Sequence, residues 1–195
     1  DYNTAVGTFA LTTDTLGSQS TAFGYGALQN QNFTTATNSA NVAVGYNAGY
    51  AVTTGIRNVL MGGLAGDALQ DADYNVAIGT SALTSDTLGS RSVAIGDSAL
   101  ASQNFTTATA AYNVGVGYNA GGNVSTGVQN VLIGGLTGDA ITTGNNNVAV
   151  GSFALTANQT GAQNTAVGTQ SLNECTGTDN TAVGMNSGIA IVGGS

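Results

Sequence analysis

Asn3-Thr4-Ala5-Val6-Gly7 runs from a polar residue through a β-branched, a small and a larger apolar one to glycine, and the pattern recurs eleven times. The closing glycines are Gly7, Gly24, Gly45, Gly62, Gly79, Gly96, Gly117, Gly134, Gly151, Gly168 and Gly184. Successive spacings are 17, 21, 17, 17, 17, 21, 17, 17, 17 and 16 residues. A fixed period of this size marks coils stacked in one dimension, each touching only its neighbours. The 195 residues therefore read as a single repeat domain, 1–195, although their number alone would suit one or two globular units.

Within each pentad the alternation is that of a strand. Three residues before the glycine stands Thr or Val (Thr4, Thr21, Val42 and so on), and one before it a larger apolar residue such as Val6, Phe23, Met61 or Ile78. The period of two puts these positions on one face. They are expected to fill a thin core. The residue between them is Ala in eight coils, Leu at Leu60 and Leu132, and Gly at Gly115. A water-facing row would carry polar side chains, so the alanine row is expected to pack closely against a neighbouring chain. Three residues past the corner comes a second small position, then Leu11 and Leu28, Gly49 and Gly66, Leu83 and Leu100, Gly121 and Gly138, alternating in pairs. A glycine-containing turn follows in most coils. Each coil thus predicts two short strands. Asparagines before the strand (Asn3, Asn58, Asn75, Asn113, Asn130, Asn147, Asn164, Asn180) predict a stacked amide ladder.

A larger unit lies above the coil. Residues 3–74 and 75–146 align without gaps over 72 positions, more than half of them identical. Both copies carry a four-residue insertion at the same place, within Gln31–Thr37 and Gln103–Thr109. These should bulge from one edge of the stack, four coils apart, or about 19 Å at one strand spacing per coil.

Composition narrows the function. Only 6% of residues are charged and the net charge is −8, with no lysine or histidine and two arginines, Arg57 and Arg91. A nucleic-acid binder needs a basic face, and anionic lipid needs a polybasic patch; neither partner is expected. No apolar run reaches membrane-spanning length. Zero proline suits a backbone committed to ladders, and 30 glycines without a three-residue period suit turns. The lone Cys175 excludes an intrachain disulfide framework. The chain opens at Asp1 in full repeat, as a fragment of a longer fibre would.

The run Asn75-Val76-Ala77-Ile78-Gly79-Thr80-Ser81-Ala82-Leu83 resembles the head repeat of YadA-type trimeric autotransporter adhesins. Its 17-residue period is closer to variants in phage tail fibres and tailspikes, and the resemblance covers essentially the whole chain. It implies a left-handed parallel β-roll, a homotrimer around a common axis, and a structural and adhesive role on a virion during host-cell attachment. The alternatives are the head of a bacterial trimeric autotransporter at the cell surface and, lower, an ice-binding solenoid, whose regular Thr array is here interrupted by valine in seven coils.

Chemistry is excluded mainly by missing residue types. Without histidine there is no Ser-His-Asp or Cys-His machinery, and without lysine no Walker A loop. Gly115-Val116-Gly117-Tyr118-Asn119-Ala120 fits a dinucleotide fingerprint only formally, since it lies inside the repeat. The expectation is a non-enzyme without catalytic, cofactor or metal residues. The aspartates Asp14, Asp86, Asp67, Asp139, Asp71 and Asp73 read as solvated turn residues, with calcium as the alternative. Cys175 reads as a small, partly buried apolar residue. Phe33 and Phe105 in the insertions carry two readings: a hydrophobic plug, or an exposed aromatic stacking on a host cell-surface glycan. Tyr25, Tyr46, Tyr50 and Tyr118 share the second reading more weakly.

Overall fold

The computed structural model describes residues 2–189 and 191. Among these residues there is no helix. Eleven three-residue strands, from Thr4–Val6 through Val76–Ile78 to Thr181–Val183, pair in parallel and in sequence order into one sheet. Register is strict: Val76, Ala77 and Ile78 face Val93, Ala94 and Ile95 on the next coil. The chain is a parallel β-solenoid of eleven turns, and at about 4.8 Å per strand the sheet runs roughly 48 Å. Across an insertion Val93 still faces Val114, so the extra residues leave the ladder untouched.

The strands are short because φ is positive on both sides of them. The residue five before each corner glycine has φ near +55°, as Arg57 and Tyr74 do, and the corner glycines lie at 121–139°. The second region belongs to glycine. A Cβ added at Gly45 would also stand 2.5 Å from the Gly62 carbonyl oxygen. The glycine column is therefore required twice over, by conformation and by contact with the coil above.

The expected second strand does not form. Two and four residues past the corner φ is again positive (Ser81 +54°, Leu83 +52°), so this wall is a run of turns. Its amides still bond coil to coil, as in Leu28 N–H to the Ala48 carbonyl at 3.1 Å. Among the described residues, two-residue pairings beyond the main sheet occur only where the insertions return, Gly17–Ser18 with Thr37–Asn38 and Gly89–Ser90 with Thr109–Ala110.

The facing of the sheet is the reverse of the expectation. The alanine row points inward: Ala22, Ala43, Ala77, Ala94, Ala149 and Ala166 are fully buried, with Leu60 and Leu132. The Thr/Val and Val/Ile rows point outward and are half-buried to exposed. The cause is the width of the coil. Leu28, Leu83, Leu100, Leu155 and Leu172 reach across from the turn wall and are themselves fully buried. Only a small residue fits beneath them: a Cβ at Gly115 would lie 2.9 Å from Leu100 Cγ. Where the sheet supplies the leucine, the turn wall is glycine. A Cβ at Gly49 would be 2.6 Å from Leu60 Cδ1, and one at Gly66 2.8 Å from Leu60 Cδ2. Large and small alternate across the gap and fill it, as close packing of an interior requires.

A second inward position, seven residues past the corner, was not visible in the pentads. Coils with a glycine turn wall fill it with Val52, Leu69, Val124 and Ile141, and coils with a leucine there use Asp86, Gln103, Asn158 or Cys175, all buried. Beside it runs the amide ladder. Asn58 Oδ1 accepts from the Asn75 backbone N–H at 2.9 Å, and Asn58 Nδ2 donates to the Ala72 carbonyl at 2.7 Å. Ser20 and Ser92 interrupt the ladder, and there Gln31 and Gln103 fill in: Gln103 Nε2 donates to Ser92 Oγ at 3.0 Å, and Asn113 Nδ2 donates to Gln103 Oε1 at 2.8 Å.

Candidate functional site

The insertions do not present their aromatic rings. Phe33 and Phe105 are 5% and 6% exposed, so neither ring has a face open to a sugar, and they plug the loop base. Asp86 fixes the second insertion from below. Its carboxylate accepts from the Gly89 N–H at 3.0 Å, the Phe105 N–H at 3.1 Å and Gln103 Nε2. Far from being a solvated turn residue, Asp86 is fully buried. A carboxylate already ringed by N–H donors is a poor fit for a cation. Asp14 repeats the arrangement with Gly17 and Gln31 but stays half-buried. Cys175 is fully buried, with Asn180 Nδ2 3.4 Å from its sulfur. Among the described residues no three His, Cys, Asp or Glu side chains come together, and no helix is long and apolar enough to cross a membrane.

Two surface features follow from the outward rows. The first is apolar. Val6, Phe23, Met61, Ile95, Ile133 and Val183 stand in one column along the sheet, 37% to 69% exposed, with the half-buried Val44, Ile78, Val116, Val150 and Val167 between them. Tyr25 and Tyr46 stack beside its first coils at 5.6 Å, with Phe9 edge-on to Tyr25 at 5.5 Å. Tyr118 is exposed in the coil that repeats the Tyr46 coil.

The second runs along the strand-entry edge, at the positive-φ position before each asparagine or serine. Four consecutive coils carry Arg57, Tyr74, Arg91 and Tyr112 there, all exposed. The Arg57 guanidinium carbon lies 5.5 Å from the Tyr74 ring centroid, and its Nη1 donates to the Tyr74 hydroxyl at 2.6 Å. The Arg91 guanidinium carbon lies 5.2 Å from the Tyr74 ring and 5.9 Å from the Tyr112 ring. In the sequence Arg57 and Arg91 stand only as the two cations, and nothing joins them to Tyr74 and Tyr112, because all four lie outside the pentad. Their stacking depends on a register that only the folded coil supplies.

A shallow groove opens on the same edge beside the first insertion, between Tyr2, Leu16, Ser18, Gln19, Thr37 and Asn38. Seventy-two residues on, Tyr74 and Arg91 occupy the places of Tyr2 and Gln19. Comparisons with known proteins give no match to this chain: no family model, no curated protein and no solved structure aligns with it.

Proposed function

We propose that this chain is a structural and adhesive shaft segment of a virion tail fibre or tailspike, a left-handed roll assembled as a homotrimer and used in host-cell attachment. The observation that carries the reading is the outward apolar column running the length of the stack. A contiguous exposed apolar strip of that length marks an interaction surface. A partner that matches it coil by coil has the same repeat, and a second and third copy of the chain supply that. The rigid ladder beneath gives a rod in which the subunits would unfold and dissociate as one event. The resemblance of the repeat to trimeric adhesins and phage fibres points the same way.

The test separates assembly from folding. Ile78→Glu places a charge on the outward column, and Ala77→Glu places one inside the coil. The wild type is expected to sediment as a trimer, Ile78→Glu as a folded smaller species, and Ala77→Glu as unfolded or aggregated chain. A folded wild-type monomer at micromolar concentration overturns the trimer. An antibody to the chain should decorate a tail appendage of virions released by the organism that carries the gene. Decoration of the bacterial surface instead would move the chain to the cell-surface adhesins.

A further inference from the structure

We propose that the Arg57–Tyr74–Arg91–Tyr112 edge is a binding site for a polyuronate, an acidic polysaccharide whose carboxylates two sugars apart meet the two arginines. The chain has two cations and net charge −8, and both cations fall on this edge two coils apart. Among the described residues neither guanidinium has a carboxylate within 4.0 Å: the arginines' only side-chain partners are tyrosines. The neighbouring Asp73 is turned to the backbone, its Oδ1 accepting from the Ile56 N–H at 2.8 Å.

Stacking orients the arginines for this use. Arg91, against the Tyr74 and Tyr112 rings, makes no side-chain hydrogen bond among the described residues and keeps its N–H edge for a carboxylate in two parallel hydrogen bonds, whereas Arg57 keeps the N–H groups other than Nη1, which holds the Tyr74 hydroxyl. Arg91 lies between two tyrosines and has little freedom left to lose on binding. The two arginines are separated by two strand spacings, about 10 Å, comparable to an extended disaccharide. Tyr74, between them and 40% exposed, can pack against the intervening sugar. The second insertion leads directly through Thr109–Ala110 into Tyr112, and its exposed Thr106 and Thr107 add hydroxyls at the rim.

The coil does not need these residues for its own sake. The same position is filled by Gln19, Ala40, Gln129, Asn146 and Gln163 in other coils, with the same positive φ. The arginine ladder is thus a local departure from a duplicated sequence, at a place where the fold is indifferent. An extended phosphate polymer is disfavoured, because its charges recur about every 3.4 Å along a strand, so two arginines about 10 Å apart leave most of them unpaired against a chain of net charge −8. At physiological salt the Debye length is about 8 Å, so a sugar carboxylate docked on Arg91 feels mainly its immediate neighbours.

The inference deepens the adhesive reading and rests on it, but its test is independent of assembly. The full chain is run in affinity electrophoresis against alginate (a polyuronate), neutral dextran, dextran sulfate and single-stranded DNA, with sedimentation in parallel. Retardation by alginate alone is expected. Arg57→Gln/Arg91→Gln uses the residue that coils elsewhere carry, so the fold is retained, and alginate affinity should fall about ten- to hundred-fold. Arg57→Lys/Arg91→Lys keeps the charge but loses the planar fork, and should recover only a small part. No retardation by alginate, or equal retardation of the glutamine variant, overturns the site while leaving the shaft reading intact. Equal retardation by DNA or dextran sulfate overturns the polysaccharide assignment. Full recovery by lysine reduces the edge to a charge patch and overturns the stacked-fork argument.

Discussion

Asn147→Ala isolates the worth of one rung of the amide ladder. Asn147 Oδ1 accepts from the Asn164 backbone N–H at 3.0 Å and from Asn164 Nδ2 at 3.1 Å, while its own Nδ2 donates to the Gly161 carbonyl at 3.0 Å. Asn147 is fully buried, so bulk water does not reach these groups. At least two backbone groups, the Asn164 N–H and the Gly161 carbonyl, lose their side-chain partner. An orphaned buried group costs about 1–3 kcal/mol, giving about 2–6 kcal/mol in all. Serine should cost less, because Ser20 Oγ still accepts from the Asn41 N–H at 3.2 Å in the natural interruption. That interruption also shows the remedy. Wherever the ladder has serine, glutamine stands at the second inward position of the same coil, and in the Asn147 coil that position is Asn158. Asn158→Gln should therefore recover part of the loss in Asn147→Ser, with a coupling of about 1–2 kcal/mol in a double-mutant cycle. Recovery is partial because the preceding coil offers Ile141 where Asp14 and Asp86 complete the natural networks. Guanidinium unfolding at one fixed protein concentration reads the cycle, and hydrogen exchange at the Asn164 amide shows whether the loss is local. An alanine variant within about 0.5 kcal/mol of wild type, or strictly additive serine and glutamine changes, would refute the reasoning.

Asp86→Ala removes three acceptor contacts beneath the second insertion; it should cost about 3 kcal/mol or more and make residues 103–109 the first site of proteolysis, whereas an unchanged cleavage map would show that Phe105 alone holds the loop. Phe105→Ala should destabilise by about 3–5 kcal/mol and leave saccharide binding per folded molecule unchanged, as measured in the electrophoretic assay; lost binding with intact stability would restore a contact role to the ring. Burial holds the Asp139 carboxyl above its ordinary value near 3.8, the N–H groups of Asp139 and Ala140 offsetting only part of that. The native state then holds this proton more tightly than the unfolded chain, so the contribution is favourable at low pH and is lost as pH rises through the raised value. Asp139→Asn should be the more stable form at pH 7 and should converge on wild type below the ordinary carboxylate value; a difference independent of pH would sink the assignment.

The last prediction concerns the interior, where reading from sequence went furthest and also failed. Period, register and the glycine column were legible, because each depends on a single residue type at a fixed spacing. Which face lies inward was not. The rule that larger apolar residues point to the core presumes a gap wide enough for two of them, and here one leucine spans it. The paired alternation of Leu28 with Gly49 and Leu100 with Gly121 was the available sign, but it becomes decisive only beside Leu60, Leu132 and the second inward position. The arginine–tyrosine edge was hidden for a related reason, since residues 17 apart become neighbours only once the register is known. If the interior is filled by one leucine per gap, Leu132 serves two coils, because added Cβ atoms at both Gly121 and Gly138 would meet its methyl groups, at 2.6 and 2.8 Å. Leu132→Ala should then lie at the upper end for its type, about 4–5 kcal/mol. Gly138→Ala alone should also destabilise, through overpacking against Leu132 and Ile141 and a side chain placed at φ +55°. In the double variant the clash with Leu132 disappears and the new methyl group occupies part of the vacated space, while the close contact with Ile141 and the φ cost of about 1 kcal/mol remain. The two changes together should therefore cost at least about 1 kcal/mol less than their sum. Unfolding measurements that give simple additivity would mean that the two walls do not share one leucine, and the alternation would need another cause.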